Sequence, residues 1–344
     1  MIDKAIWDKR VREGKEQLWI NGERSGNRRF VDPKEIKQQF PRLPTREELS
    51  ADRERMRAYL SEFELDMNSE LRRIAEFQQM LIPVVGGRIL GDWYVKMDSD
   101  MPLIGSIKAR GGLYELVNHA VRLLRDAGMD DSPRGLRNDA AKELFGRHTV
   151  IVSSTGNLGI SIGLLGRRIG FRVQVHMSHD AQEWKMEALR QVGAEVMLHD
   201  ADYSVAVAKG REEAGRSGAY FVDDETSVDL FRGYALAAFE IAESFEQTDR
   251  PLFVYLPCGV GGAPAGVAYG LKLLLGERVH LFFAEPTASP CVLCGLASGE
   301  YDRTSVYAFG QSNRTIADGL AVPRMSGLVG PLLSNLVDGI YTVS

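Results

Sequence analysis

A lysine held between residues that tighten the backbone is a candidate for chemistry rather than solvation. Lys108 stands in G105-S-I-K-A-R-G-G112, after a serine turn and before a glycine pair. The run ARGGLYELVNHAVRLLRDAG that follows has leucines and valines at helical spacing, so Lys108 falls in the first turn of a helix. The positive end of the helix dipole, the neighbouring Arg110 and burial would each disfavour an ammonium there. An amine freed in this way is a nucleophile. Taken alone, the motif also fits an exposed lysine at an ordinary helix start.

Two further loops carry chemistry. In C258-G-V-G-G-A-P-A265 the glycines at 259, 261 and 262 let backbone N–H groups converge, and Pro264 suits a first helical turn. A glycine loop that follows a strand and feeds a helix is an anion site, most often for phosphate. No Gly-Lys-Ser/Thr closes it, so it is no Walker loop, and proline at 264 breaks the dinucleotide pattern. A small phosphate without a nucleotide remains, with a tight packing turn as the alternative. In S153-S-T-G-N-L-G159 three hydroxyls, an amide and backbone donors gather where a strand meets a helix. That set suits a carboxylate, and equally a simple helix cap.

A reactive amine, a phosphate cradle and a carboxylate loop are together the needs of one cofactor, pyridoxal 5'-phosphate acting on amino acids. The amine takes the aldehyde, the phosphate anchors, and the ring withdraws electrons from the substrate Cα.

The elements that must position these loops are legible in the hydrophobic pattern. From residue 149 strands and helices alternate. HTVIVSS, FRVQVHM, AEVMLHD, AYFVDD, LFVYLPC and VHLFFAEP read as strands. LGISIGLLGRRIG, DAQEWKMEALRQVG, ADYSVAVAKGREEAG, DLFRGYALAAFEIAESF and AGVAYGLKLLLG read as helices. Such alternation implies parallel sheets wrapped by helices, with ligands at the carboxyl ends of the strands. Residues 1–80 read as helical, with Thr45 and Glu48 at capping-box spacing. IPVVGGRILGDWYVKMDSDMP reads as short β-type runs, and 128–146 as a polar surface insertion.

Composition bounds the rest. The 344 residues are 44% hydrophobic and 26% charged with net charge −5, which gives no electrostatic reason to expect nucleic acid. No apolar run approaches the roughly 20 residues of a membrane helix, and the charged N-terminus is no signal peptide. Three cysteines, Cys258, Cys291 and Cys294, argue against a disulfide framework and fit a reducing cytoplasm. Cys291 and Cys294 form a C-x-x-C without the partners a zinc site needs.

The chain resembles the fold-type II pyridoxal-phosphate enzymes, and within them the bacterial D-serine dehydratase branch. The resemblance rests on DSDMPLIGSIKARGGLYE, SSTGNLGISIG, RIGFRVQVHMS, YFVDDE, PLFVYLPCGVGGAPAGVAYGLKL, FFAEPTASPC and ADGLAV, from about residue 90 onward. It implies a tryptophan synthase β-like fold of two open, twisted, mostly parallel sheets. The expected layout is an N-terminal helical region with part of the large domain (1–107), a small α/β domain (108–245) and the large domain with the phosphate loop (246–344). The resemblance also implies roles. Lys108 holds the cofactor as a Schiff base and returns as acid or base. Asn157 bonds the ring 3'-oxygen, and the backbone of Gly259, Val260, Gly261, Gly262 and Ala263 cradles the phosphate. Ser154, Thr155 and Gly156 hold the substrate carboxylate, and Thr155 takes part in proton transfer. Asp223 is a weaker candidate, with a surface strand end as its alternative.

The implied reaction is elimination from D-serine to pyruvate and ammonia, in a monomer or dimer, with a monovalent cation such as K+ as a further implied ligand. L-serine or L-threonine dehydration and a non-catalytic cofactor-binding protein are the competing readings. Ala263 and Ala265 interrupt the glycine run, which an alanine allows only at negative φ. The chain stops in DGIYTVS, a strand-like run, before such enzymes normally finish; the expected remainder would supply the Ser or Thr that faces the pyridine nitrogen.

Overall fold

The computed structural model describes residues 4–22, 33–154, 156–179, 181–200 and 203–344. Ten strands are described: β1 Leu18–Ile20, β2 Leu71–Arg73, β3 Tyr94–Lys96, β4 Thr149–Ser153, β5 Arg172–Ser178, β6 Glu195–His199, β7 Tyr220–Val222, β8 Leu252–Pro257, β9 Val279–Pro286 and β10 Gly339–Val343. They form two four-stranded sheets, ordered β6-β5-β4-β7 and β1-β10-β9-β8, and an antiparallel pair β2-β3. The first sheet is parallel throughout; the second is parallel except where β1 pairs antiparallel with β10.

The central strand β4 shows why this sequence takes this architecture. Val150, Ile151 and Val152 are all fully buried, because helices cover both faces of the strand. Strands of that kind read as unbroken apolar runs rather than alternating ones. β8 differs: Val254 and Leu256 face the core, while Phe253 and Tyr255 are 53% and 58% exposed on the opposite face. There the aromatic rings of Phe253, Tyr255, Phe282 and Tyr341 form a contiguous row.

Local signals carried much of the helix placement. The capping box at Arg46–Ser61 is formed in full, with Thr45 Oγ1 accepting from Glu48 N at 3.2 Å and Glu48 Oε2 accepting from Thr45 N at 2.7 Å. The helix after β4 runs Asn157–Ile169 and ends at Gly170, whose φ is 122°.

Three expectations are corrected by tertiary packing. IPVV is the last turn of a helix, Ala75–Val85, and only Tyr94–Lys96 of the expected β-type stretch is a strand. Residues 128–146 are no loose insertion. They contain the helix Asp139–Phe145, and Leu136, Ala141 and Phe145 are fully buried, with Phe145 5.0 Å from the Phe171 ring. The long helix expected after Ser227 is two helices, Val228–Ala235 and Ala237–Glu243, broken at Leu236. There Gly270 lies so close that a Cβ on it would meet the Ala235 carbonyl oxygen at 2.7 Å. A neighbouring helix pressed this near constrains the backbone in a way no hydrophobic pattern records.

Candidate active site

Lys108 opens the helix Lys108–Asp126. Its entry is a left-handed turn at Gly105, φ 57°, packed against the Ser99 carbonyl, where a side chain would collide. Ser106 Oγ accepts from the Lys108 backbone N–H at 3.3 Å. The following glycine pair does not shape this turn. Gly111 and Gly112 lie inside the helix, and a Cβ on Gly111 would strike the Tyr234 ring. Their smallness lets the helix Val228–Ala235 pack close, which sets Tyr234 beneath the lysine, its ring centroid 5.2 Å from Lys108 Nζ.

The lysine faces an aspartate, Asp224, that no sequence motif singles out. Lys108 Nζ donates to Asp224 Oδ1 and Oδ2 at 3.2 and 3.1 Å, with side chains 19% and 12% exposed. Arg110 does not face the amine: its guanidinium is bound to Glu240, with Asp98 and Ser69 beside it.

Asp223, the expected acidic candidate, does other work. Its Oδ1 accepts from Glu225 N at 3.0 Å, its backbone carbonyl accepts from Thr226 and Ser227, and Oδ2 pairs with Arg211 at 2.8 Å. It forms the turn, and Asp224 at the tip reaches the lysine. Glu115, buried on the lysine's own helix, holds both ends of this turn. Tyr220 OH donates to its Oε1 at 2.5 Å, and Ser227 Oγ donates to its Oε2 while capping Leu230 N at 3.0 Å. Burial pushes the Glu115 carboxyl up, and the two hydroxyl donors oppose that shift. The one available signal for Asp224 was its place at the carboxyl end of a parallel strand.

The glycine loop stands at the carboxyl end of β8 and feeds the helix Gly262–Leu275. Gly261 has φ 100°, which the missing Cβ permits. A Cβ on Gly259 would come within 3.2 Å of Val322 and 3.3 Å of the Gly319 carbonyl, filling the cradle. Ala263 and Ala265 lie within the helix and neither has positive φ, so they leave the loop intact. The first N–H groups of any helix lack intrahelical acceptors and so point at the loop's concavity. From below, Cys258 and Cys291 Sγ donate to the Gly259 carbonyl at 3.5 and 3.3 Å. Glu285 accepts from the Val292 and Leu293 N–H groups at 2.8 Å each, and burial pushes its carboxyl up to about 8. All three cysteines are buried and free. Among the described residues no group of three or more His, Cys, Asp or Glu could hold a metal ion.

The third loop is divided in use. Ser153 Oγ donates to the Ala206 carbonyl at 3.0 Å, facing the helix Tyr203–Ser217. Ser154 Oγ accepts from Gly156 N at 3.2 Å, so part of the capping role is realised within the loop itself. Asn157 is half-buried at the first position of its helix, and Thr155 lies outside the described residues.

Two segments bring the loops together. The Asp224 carbonyl lies 3.4 Å from where a Cβ of Gly262 would stand, so the turn that holds the lysine also rests on the glycine loop. Gly319, in the stretch ADGLAV, lies near both other loops: its carbonyl oxygen is 3.3 Å from a Cβ built on Gly259, and its Cα 3.8 Å from one built on Gly156. Lys108, Gly156 and Gly259–Gly262 are thus linked through Asp224 and Gly319 into one site. The fit to pyridoxal phosphate is good on these grounds, with an amine, a glycine cradle a Cβ would fill, and a second backbone loop opposite.

A parallel α/β scaffold carrying a lysine at a helix start beside a glycine cradle defines a fold-type II pyridoxal-phosphate enzyme. The chain belongs to the pyridoxal-phosphate dependent enzyme family, whose model matches residues 81–344. It is 50% identical over 289 residues to a probable D-serine dehydratase of Pseudomonas putida (strain GB-1), covering 81% of this chain and 65% of that protein. It is 48% identical over 287 residues to a probable D-serine dehydratase of Geobacillus stearothermophilus, covering 80% and 62%. The chain thus spans under two thirds of the length of these curated relatives. Among solved structures, diaminopropionate ammonia lyase from Escherichia coli in complex with D-serine superposes with TM-score 0.70 at 18% identity, covering 95% of this chain and 77% of that one. Maize serine racemase does so with TM-score 0.61 at 18% identity, covering 86% and 75%. At such identity the likeness establishes the fold. No described helix is long and apolar enough to cross a membrane.

Proposed function

We propose that this chain carries the cofactor-holding and substrate-holding residues of D-serine dehydration, the elimination of water from D-serine to yield pyruvate and ammonia. The observation that carries the reading is the turn 223–225, which meets the Lys108 amine through the Asp224 carboxylate and the glycine loop through the Asp224 carbonyl. The choice of D-serine rests on the names of relatives near 50% identity.

In this reading Lys108 would hold the cofactor's aldehyde carbon, the backbone of Gly259 to Ala263 its phosphate, and Asn157 the ring oxygen. Pyridoxal phosphate, when bound, supplies an electron-withdrawing ring that stabilises negative charge at the substrate Cα. The protein's own groups orient and move protons. Ser154, Thr155 and Gly156 hold the carboxylate with hydroxyl and backbone donors. Lys108 Nζ takes or returns the Cα proton, and Asp224 keeps that amine aimed and shares its proton. Glu115 keeps Asp224 in place. The β-hydroxyl leaves as water, and the released aminoacrylate hydrolyses to pyruvate and ammonia. Buried, unbridged thiols suit a cytoplasmic setting. A monovalent cation belongs to the same proposal, tested by comparing K+ with a bulky organic cation.

The test is to incubate the purified chain and pyridoxal phosphate with D-serine and with L-serine separately, following pyruvate. Pyruvate from D-serine is expected. Pyruvate from L-serine alone would replace the proposal with an L-specific dehydratase. Cofactor binding with no pyruvate from either substrate would reduce this chain to a binding protein.

A further inference from the structure

The stretch 316–322 runs past both loops as a strap, with Gly319 near the carboxylate loop and the glycine loop. Its far end is rooted beside β9. Buried Ser289 Oγ accepts from Val322 N at 3.1 Å, and its single proton has the Val322 and Leu320 carbonyls at 3.1 and 3.3 Å and Asn313 Oδ1 at 2.7 Å within reach. Its near end is tied to the other sheet's helices by one ion pair, Lys185 Nζ to Asp318 Oδ2 at 2.6 Å. The two partners are unequal. The Lys185 side chain is only 3% exposed, while that of Asp318 is 51% exposed. Lys185 belongs to the helix Glu183–Gln191, whose Leu189 packs against Gly163 in the helix that begins at Asn157. The ammonium also lies 5.5 Å from the Trp184 ring centroid.

A lysine is buried at a cost unless its charge is met, and the carboxylate that meets this one sits on the strap. We propose that Lys185 is a positioning residue: through Asp318 it latches the strap beside the two loops and sets how tightly the site retains a phosphate-bearing ligand. The latch concerns the same site as the proposed function and, in its effect on cofactor retention, rests on that reading.

Hydrogen exchange of the peptide spanning 314–322, measured without cofactor, tests the latch directly. In Lys185→Met and Asp318→Asn exchange at 317–322 should rise about tenfold, the double variant should add nothing, and Lys185→Arg should stay near the parent. Release of pyridoxal phosphate, followed by absorbance, should quicken in the same variants by a similar factor. Parent-like exchange in both single variants, or additive acceleration in the double one, would overturn the proposal. Should Lys185→Met fail to fold, the half-exposed Asp318→Asn decides by itself. A parent chain that takes up no cofactor would defeat the functional reading, while the exchange result would still decide the latch.

Discussion

Lys108 Nζ lies 3.1 Å from Asp224 Oδ2, an ion pair that spans 116 residues of sequence and joins a helix start to the tip of a strand turn. It makes the lysine a directed group rather than a mobile one. If Lys108 holds the cofactor, Lys108→Ala will abolish borohydride trapping of pyridoxal phosphate, seen as loss of the mass increment on the peptide containing residue 108. Lys108→Arg will keep the ion pair and trap nothing. Trapping undiminished on another lysine would remove the assignment.

The two adjacent aspartates should separate cleanly. If the chain forms pyruvate as proposed, Asp224→Asn, which removes the charge facing the amine, should lower the rate on the order of 100-fold, the scale of one proton-transfer group. Asp223→Asn keeps an Oδ1 acceptor for the Glu225 N–H and loses only the charge of the Arg211 pair, and should retain most of the rate. Equal losses would show that the turn's shape, not Asp224's charge, is what matters.

If Asn157 holds the ring oxygen as proposed, Asn157→Ala should weaken cofactor retention and shift the bound cofactor's absorbance. Equilibrium titration followed by absorbance measures both. A parent-like spectrum would place Asn157 in helix packing alone.

Gly111→Ala tests packing rather than chemistry. The added methyl would collide with the Tyr234 ring in the tight seam between two helices. Overpacking of this kind costs about 1–3 kcal/mol, read as a lower urea midpoint. Gly112→Ala, whose nearest neighbour would be Ile162 at 3.2 Å, should cost less. Shortening Tyr234 in the Gly111→Ala background should restore part of the loss.

His119 supplies a pH dependence. Its ring stacks on Tyr220 at 3.8 Å between centroids, its Nε2 has no hydrogen-bond partner among the described residues, and burial pushes its pKa down to about 3. The unfolded chain therefore binds a proton that the folded one refuses below about 6.5. The stabilising contribution is complete above that value and is lost as pH falls toward 3. Between pH 6.5 and 5 the loss should be about 1–2 kcal/mol. His119→Phe should flatten that slope in urea denaturation while leaving stability at pH 7.5 nearly unchanged.

Contiguous residues alone carry the α/β class, the strand-helix alternation from residue 149, the capping box at Thr45 and the three loops able to serve one cofactor. Those features are local: apolar runs, cap spacing and glycine content are written in contiguous residues. Which acid meets Lys108 is set by the folded turn, because Asp223 and Asp224 are alike along the chain and differ only in which one closes the turn. The tertiary structure also decided that Arg110 turns to Glu240, that Gly111 serves helix approach rather than the lysine's turn, and that Gly319 lies near both other loops. Each of these depends on a partner far away in the chain, and neither periodicity nor propensity carries information about long-range proximity.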